Sequence, residues 1–207
     1  MQTFDLLDFA DRYFDGANCL LVKLLDKPPK LESGKIWLAG GALRRTIKKQ
    51  KLDSDFDFFF NSEEAYKVCY EAFKAQYKLT NLKQNDANLS FDIEVIIDEK
   101  PLVINIQLII ISYYDGPASL LESFDYTLCQ FATDGEKLYC GDTALFDVAN
   151  NKIVVNKITY PVASLRRLLK YTKQGFYACG GCLAELLHQS SELIVAGKIQ
   201  EDFKYID

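Results

Sequence analysis

Two glycines and two aspartates are the residues of this chain whose types and spacing could support chemistry: Gly40-Gly41 and the pair Asp55 and Asp57. A glycine pair exposes backbone N–H groups, and a helix that begins there adds the positive end of its dipole, a combination that suits phosphate oxygens. Aspartates at i and i+2 of a strand point the same way, with Cα atoms about 6.5 Å apart, and can share Mg²⁺ (or Mn²⁺) with a triphosphate. These residues predict a site for a nucleoside triphosphate and a divalent metal.

The chemistry expected of such a site is nucleotidyl transfer. Two metal ions can lower the pKa of an attacking hydroxyl and neutralise a pyrophosphate leaving group. Because the reaction depends mostly on positioning and charge neutralisation, few side chains suffice. Asp-x-Asp alone is more often a solvent-facing strand edge, so the interpretation depends on the glycine pair as well.

The elements that position these residues follow from periodicity and turn residues. An apolar strand over 35–39 runs into Gly40, and a helix is predicted over 42–51. Alternating Asp and Phe predict a strand over 53–60. The other predicted elements are a helix over 4–26 ended by Pro28-Pro29, a helix over 63–77, hairpin strands over 88–97 and 102–112, a helix over 119–133, a turn at Asp134-Gly135, a strand over 153–155, a helix over 161–175 and a helical remainder interrupted at Gly180-Gly181.

This order of elements predicts an α/β (α+β) protein. We expect a mixed twisted sheet flanked by helices over residues 1–155 and a small helical segment over 156–207. The chain of 207 residues is long enough for one core with a small appendage.

Two ordered blocks of sequence resemble the head domain of tRNA nucleotidyltransferases and bacterial poly(A) polymerases, in the DNA polymerase β-like nucleotidyltransferase superfamily. The first block is Leu-Ala-Gly-Gly-Ala-Leu-Arg-Arg at 38–45, followed by Asp-Phe-Asp-Phe at 55–58. The second is Phe-Asp-Tyr-Thr-Leu-Cys-Gln-Phe-Ala at 124–132, followed by the acidic and glycine positions of 134–147. Two blocks in the family's order are more specific than a glycine pair alone.

The resemblance implies a nucleotidyltransferase fold and a metal-dependent transfer of an NMP from an NTP to an acceptor hydroxyl, with release of pyrophosphate. It implies that the metal ligands are Asp55 and Asp57. The groups around the nucleotide would be Gly40, Gly41, Arg44 and Asp125. In the family, a helical region after the head supplies residues that select the nucleotide, which points to Arg166 or Arg167 in the basic helix over 161–175. Without the resemblance, that basic helix is equally well explained as a solvated face.

The chain departs from the family's pattern at three places. Ser123-Phe124 stand where the family has an arginine pair, and Arg45 stands where the family often has Asp. The strand that normally carries a third metal-binding acid reads Ile-Asn-Ile-Gln-Leu at 104–108.

The hairpin suggests how a third carboxylate could be supplied. If Ile97 faces Leu102 across the turn, Glu94 faces Asn105. Asp92 then faces Gln107, and these four polar residues lie on one face of the hairpin. We therefore hypothesise that Glu94 or Asp92 replaces the third acid as a catalytic residue. The alternative is that no third carboxylate exists and the domain is a catalytically degenerate nucleotide-binding module.

Composition and charge limit the partners. The net charge of −5 argues against a surface that binds nucleic acid as a whole, so an RNA 3′ end as acceptor would need a local basic patch. A protein or small-molecule hydroxyl is the other possible acceptor. No apolar run reaches the length of a membrane span and the N-terminus is acidic, so we expect a cytoplasmic protein that binds no membrane. The compact architecture would fit a viral or phage-encoded version.

The six cysteines show no compact framework, and most lie in apolar segments as expected for reduced core residues. Cys179-Gly-Gly-Cys182 has the spacing of half a zinc site, but one pair and His188 fall short of four ligands. Thiol redox chemistry at this pair would require an activating helix N-terminus.

Overall fold

The computed structural model describes residues 1–27 and 29–197. Pro28, predicted to help end the first helix, and residues 198–207 of the predicted C-terminal helical segment lie outside the described residues. The strands are β1 Gln2–Asp5, β2 Ile36–Ala39, β3 Phe56–Phe60, β4 Thr80–Gln84, β5 Asn88–Ile97, β6 Lys100–Ile109, β7 Phe131–Thr133, β8 Lys137–Cys140, β9 Lys152–Ile153 and β10 Tyr177–Ala178. The helices are α1 Leu6–Tyr13, α2 Leu20–Leu25, α3 Gly41–Ile47, α4 Glu63–Gln76, α5 Pro117–Glu122, α6 Ala144–Ala149, α7 Pro161–Lys173 and α8 Gly180–Val195.

Eight of these strands form one mixed sheet, in the order β1-β8-β7-β2-β3-β6-β5-β4. The pair β3 and β6 is parallel, whereas the other pairs in this sheet are antiparallel. The predicted α/β class with a mixed sheet flanked by helices is therefore confirmed. In the part of the chain that the structure describes, no helix is both long and apolar enough to cross a membrane.

The two faces of the sheet are covered unequally. Alternate side chains of the central strands, Leu38, Phe58 and Leu108 among them, pack with α2, α3 and α4 in the main core. On the opposite face, Trp37 and Phe59 pack with α5 in a second, smaller cluster. In the described part of the chain, the side chains of β5 that point to this face are half-buried or exposed. Asp57 lies on this second face, because it alternates with the buried Phe56 and Phe58 along β3.

The predicted helix over 4–26 is wrong. The chain there forms β1, α1, a single 3₁₀ turn at Gly16–Asn18 and α2. Asp5 ends the strand and caps α1, since its Oδ1 accepts hydrogen bonds from the N–H groups of Leu7 and Asp8. Gly16 adopts a positive φ of 54°, which interrupts the helical path. The apolar spacing fits one long helix, but pairing of β1 with the distant β8 decides the local structure.

The predicted helix over 119–133 is also largely wrong. It is helical in α5, then forms a 3₁₀ turn at Thr127–Cys129 and ends in β7. Long-range backbone contacts fix this path: Tyr126 bridges to Val155, and the N–H of Asn156 donates to the carbonyl of Asp125. Apolar content alone could not distinguish this arrangement from a helix.

Besides β1 and β7, which were predicted as helix, the strands β4, β8 and β10 were not predicted. All side chains of β4 are exposed, so it shows no apolar alternation. The two-residue β10 pairs in parallel with β9, and α8 starts at Gly180 instead of being interrupted there. The pairing of β9 with β10 joins the two sides of the predicted boundary near residue 155, and the division into two domains stays a prediction.

Other expected elements are confirmed. Ser62 caps α4, where its Oγ accepts a hydrogen bond from the N–H of Ala65. The turn between β7 and β8 contains Gly135 at a φ of +92°, as Asp134-Gly135 predicted. The basic helix α7 begins at Pro161, which suits the first turn because proline lacks the N–H that a helix leaves unpaired there.

The β5–β6 hairpin forms, but its register differs from the predicted one by two residues. Asp98 and Glu99 have φ values of 48° and 64°, which closes the hairpin in two residues instead of four. Pro101 therefore lies inside β6, opposite Ile96. It is tolerated there because the register of β3 with β6 covers only Ile106 to Leu108, so no ladder hydrogen bond is lost.

Candidate functional site

The end of β2 places a glycine bend against an aspartate. Gly40 adopts φ 79° and ψ −124°, a conformation that residues with a side chain rarely reach. Its N–H donates to the carbonyl of Phe131 at 2.9 Å. A Cβ placed on Gly40 would lie 3.9 Å from Oδ2 of Asp57 and 3.6 Å from the ring of Phe124. The bare backbone of the bend thus faces the Asp57 carboxylate, because Ala39 pairs with Asp57 across the antiparallel strands.

Ser54 adds a hydroxyl beside this bend. A Cβ on Gly41 would lie 3.8 Å from the Cβ of Ser54. Within the described residues, the Ser54 Oγ is buried and has no hydrogen-bond partner. The first N–H groups of α3 lack partners inside the helix, and no side chain caps them. Ser54 was not predicted as a site residue, although its position directly before Asp55 could have indicated it.

The amide side chain of Gln107 binds Asp55, and its residue lies opposite Asp57 in the sheet. Asp55 lies just before β3, and its Oδ2 accepts a hydrogen bond from Nε2 of Gln107 at 2.9 Å. Gln107 sits directly opposite Asp57 in the register of β3 with β6. Its Oε1 in turn accepts from Nδ2 of Asn88 at 3.1 Å. Gln107 therefore binds Asp55 and lies opposite Asp57, on the strand where the resemblance expects a third acid.

The hypothesis that Glu94 supplies the third carboxylate rests on a register that the structure corrects. Glu94 lies opposite Val103 and is exposed, and not opposite Asn105 as predicted. Four residues along β5 and two strands across the sheet separate it from Asp57, a Cα distance of about 16 Å. At that distance Glu94 cannot share a metal ion with Asp57.

Asp92, the other acid considered, is also engaged elsewhere. It lies opposite Asn105, and not opposite Gln107 as predicted. Its Oδ1 accepts from Asn105 at 2.7 Å and its Oδ2 from Asn81 at 2.6 Å, and these hydrogen bonds lower the pKa of Asp92. Its Cα lies about 12 Å from that of Asp57. No three acidic, histidine or cysteine side chains of the described residues converge to hold a metal.

The donor set nevertheless fits one kind of metal. Mg²⁺ commonly binds through one or two carboxylates, with the remaining positions taken by substrate phosphates and water. Asp57 offers one carboxylate beside the glycine bend, with the Ser54 hydroxyl close to Gly41, and Asp55 offers a second carboxylate two residues earlier, where it binds Gln107. The residues therefore suit a metal that arrives with a triphosphate better than one held by protein ligands alone.

The structure does not bring Arg44 to the bend. Arg44 is only 2% exposed, and its Nη2 donates to Oε1 of Gln174 at 2.9 Å. Its guanidinium lies 4.5 Å from the ring centroid of Tyr171. Cys129 completes this cluster with a 3.0 Å contact to the Tyr171 hydroxyl, and burial raises the pKa values of both groups. Arg44 thus connects α3 to α7, and its contact with a triphosphate stays a prediction that would require it to leave this cluster.

Two of the other predicted nucleotide-binding residues bind each other. Nη1 of Arg167 lies 2.6 Å from Oδ2 of Asp125, and the Asp125 side chain is buried. Asp125 directly follows Phe124, whose ring would lie 3.6 Å from a Cβ on Gly40. The ion pair is therefore one residue in sequence from a side chain at the bend. Arg166, by contrast, is exposed on α7.

The Arg44 cluster gives a stability prediction. Arg44→Met is expected to lower the free energy of unfolding by about 2–4 kcal/mol, because it removes a buried hydrogen bond and a cation–π contact. Arg166→Met, on the exposed face of α7, is the matched control and should change it by less than about 0.5 kcal/mol. Urea denaturation followed by circular dichroism measures both. If Arg44→Met kept full stability but lost nucleotide affinity, Arg44 would belong to the binding site.

Comparison with protein families identifies the chain. A family model described as Gabija anti-defense 2 family protein matches residues 2–151, which is more than half of the sequence. The chain belongs to the Gabija anti-defense 2 family. The matched residues of this family member include both aspartates, the glycine bend and the block that contains Asp125.

Solved structures with a similar fold are CCA-adding enzymes. An apo form matches with a TM-score of 0.58 and 16% identity over 98% of this chain and 50% of that chain. A complex with ATP matches with a TM-score of 0.60 and 17% identity over 98% of this chain and 51% of that one. The Gabija anti-defense 2 family member therefore has a nucleotidyltransferase-like fold and spans about half the length of these enzymes. No match was found among curated proteins.

Proposed function

We propose that this family member binds a nucleoside triphosphate with Mg²⁺ (or Mn²⁺) between Gly40-Gly41 and the Asp55/Asp57 pair, and transfers the NMP to an acceptor hydroxyl. The observation that carries the proposal is the position of the Asp57 carboxylate, 3.9 Å from where a Cβ of Gly40 would lie. The likeness of the fold to a CCA-adding enzyme solved with ATP supports it.

Each part of the site has a distinct role in this proposal. The first N–H groups of α3 and the Ser54 hydroxyl donate hydrogen bonds to phosphate oxygens. We assign the binding to these donors, because α3 has only seven residues and a small dipole. Asp55 and Asp57 hold the metal, and Gln107 orients Asp55 through its hydrogen bond. When bound, the metal neutralises charge on the triphosphate and lowers the pKa of the attacking hydroxyl.

The acceptor that we favour is a hydroxyl of a protein or small molecule of the defence system. The family is described as Gabija anti-defense, which supports an action against that system. An RNA 3′ end is less favoured, because the net charge of −5 opposes the approach of a polyanion.

A second candidate function is a nucleotide-binding module without catalysis. The observation that favours it is Gln107, an amide that stands where a third acid is expected and donates to Asp55. A neutral amide contributes less than a carboxylate to the charge that attracts a divalent cation.

Binding and labelling experiments separate these functions. Calorimetry with each NTP and Mg²⁺ measures binding, and NTP labelled in the α-phosphate is then offered to bulk RNA and to purified defence proteins. Label on a protein supports the favoured acceptor, whereas a ladder of labelled RNA supports the 3′ end. Binding without labelled product supports the module, and absence of NTP binding contradicts both functions.

Restoring the third acid gives a sharper test of the two functions. Gln107→Glu is expected to tighten Mn²⁺ binding in the nucleotide complex by about tenfold, because it adds a third carboxylate beside Asp55 and Asp57. Gln84→Glu, exposed on the edge strand β4, is the matched control and should leave that affinity unchanged. Electron paramagnetic resonance of Mn²⁺ measures both. Unchanged or weaker Mn²⁺ binding in Gln107→Glu would contradict the placement of the metal.

A further inference from the structure

Cys179 and Cys182 lie one helical turn apart at the beginning of α8. Cys179 is the N-terminal cap residue of this sixteen-residue helix, and its carbonyl accepts the N–H of Leu183 at 3.1 Å. Both cysteines are free thiols, but Cys179 is exposed whereas Cys182 is buried beneath the first turn. The two thiols at the start of α8 thus differ in accessibility. The sequence pattern alone could not show this difference.

The surroundings of the two sulfurs differ in a way that assigns separate roles. The backbone N–H groups of Cys182 and Gly181 at the start of α8 lower the pKa of the Cys179 thiol. The pairing of β9 with β10 brings Lys152 close enough to contribute in the same direction. Burial raises the pKa of Cys182. Cys179 is therefore the group that ionises first, and Cys182 is a protonated thiol behind it.

Among the residues at 1–27 and 29–197, Cys179 is exposed. A Cβ on Gly180 would meet no atom within 4 Å, so this position borders open space. A Cβ on Gly181 would lie 3.8 Å from the Cys179 sulfur, so the backbone runs directly beside the thiol. Residues three apart at a helix start have Cα atoms about 5 Å apart, which lies within the range of about 4.4–6.8 Å that disulfides span.

We propose that Cys179 and Cys182 form a dithiol site that exchanges with disulfides of peptides or of glutathione type. The Cys179 thiolate attacks one sulfur of the substrate disulfide, and the other sulfur leaves as a thiolate and takes up a proton. The Cys182 thiol then loses its proton and attacks Cys179 in the mixed disulfide, which releases the second substrate thiol. The substrate is reduced by two electrons and the cysteine pair is oxidised to a disulfide, so the exchange is balanced without another reactant.

The test uses the whole chain and two matched serine variants. In the reduced wild type at pH 7, iodoacetamide should modify Cys179 about fivefold faster than free glutathione. Oxidised glutathione should convert the pair to an internal Cys179–Cys182 disulfide, identified by peptide mass spectrometry. Cys179→Ser should lose both reactions, whereas Cys182→Ser should keep the fast alkylation and accumulate a stable mixed disulfide with glutathione.

The substrate source is distinguished by a second arm, in which reduced wild type is mixed with insulin as a protein disulfide. Release of insulin thiols in the wild type but not in Cys179→Ser would show that protein disulfides are accepted, and reaction with glutathione disulfide alone would restrict the site to small molecules. Alkylation of Cys179 no faster than that of glutathione, or formation of no internal disulfide, would overturn the proposal. Because the wild type alone gives both measurements, poor folding of a variant does not prevent the decision.

Discussion

Asp57→Asn is expected to reduce metal-dependent nucleotidyl transfer by about a thousandfold, since it removes a negative ligand from a site with only two carboxylates. The substitution keeps the shape of the side chain and leaves β3 intact. Asp57 lies half-buried beside Gly40. Initial rates with labelled NTP over a range of Mn²⁺ concentrations measure the effect.

The control for this variant is Glu94→Gln on the same face of the sheet. It removes one negative charge about 16 Å from Asp57, so we expect the rate to remain within about twofold. A large loss of transfer rate in Glu94→Gln would show that Glu94 takes part in catalysis. Full activity in Asp57→Asn would remove Asp57 from the metal site.

Gly40→Ala is expected to weaken NTP binding by at least about tenfold and to lower stability by about 1–3 kcal/mol. The stability loss comes from the positive φ of 79° at this position. The binding loss comes from a methyl group placed 3.9 Å from Oδ2 of Asp57, in the space proposed for the metal and triphosphate. Calorimetry with NTP and Mg²⁺ and thermal unfolding measure the two effects separately.

Gly34→Ala separates strain from obstruction of the site. Gly34 also has a positive φ, of 75°, but a Cβ there would meet no atom within 4 Å. We expect Gly34→Ala to lose about 1 kcal/mol of stability and no NTP affinity. If both variants lost affinity equally, the effect at Gly40 would be one of stability, and the bend would have no special role in binding.

The proximity of Gly40 and Asp57 could be predicted because it depends on neighbouring segments. Gly40 directly follows β2, Asp57 is the second residue of β3, and the antiparallel pairing of these strands brings them together. The fold class could be predicted from the order of helices and strands, and the two blocks that resemble nucleotidyltransferases implied the type of fold. Strand alternation also placed Asp57 on a polar face.

Features that depend on distant or unusual contacts could not be predicted. The hairpin closes through positive φ values at Asp98 and Glu99. Neither residue is a glycine, so the sequence does not indicate a two-residue turn there. Whether Arg44 faces a cleft or the core depends on Gln174 and Tyr171 of a helix far along the chain. Activation of Cys179 depends on where α8 begins, which a glycine pair alone leaves open.

Anomalous diffraction from crystals grown with Mn²⁺ and a non-hydrolysable NTP tests the central claim most directly. The account predicts an anomalous peak within about 2.5 Å of carboxylate oxygens of both Asp55 and Asp57, with the triphosphate lying along Gly40-Gly41. A peak elsewhere in the molecule, or a nucleotide bound away from this bend, would contradict it.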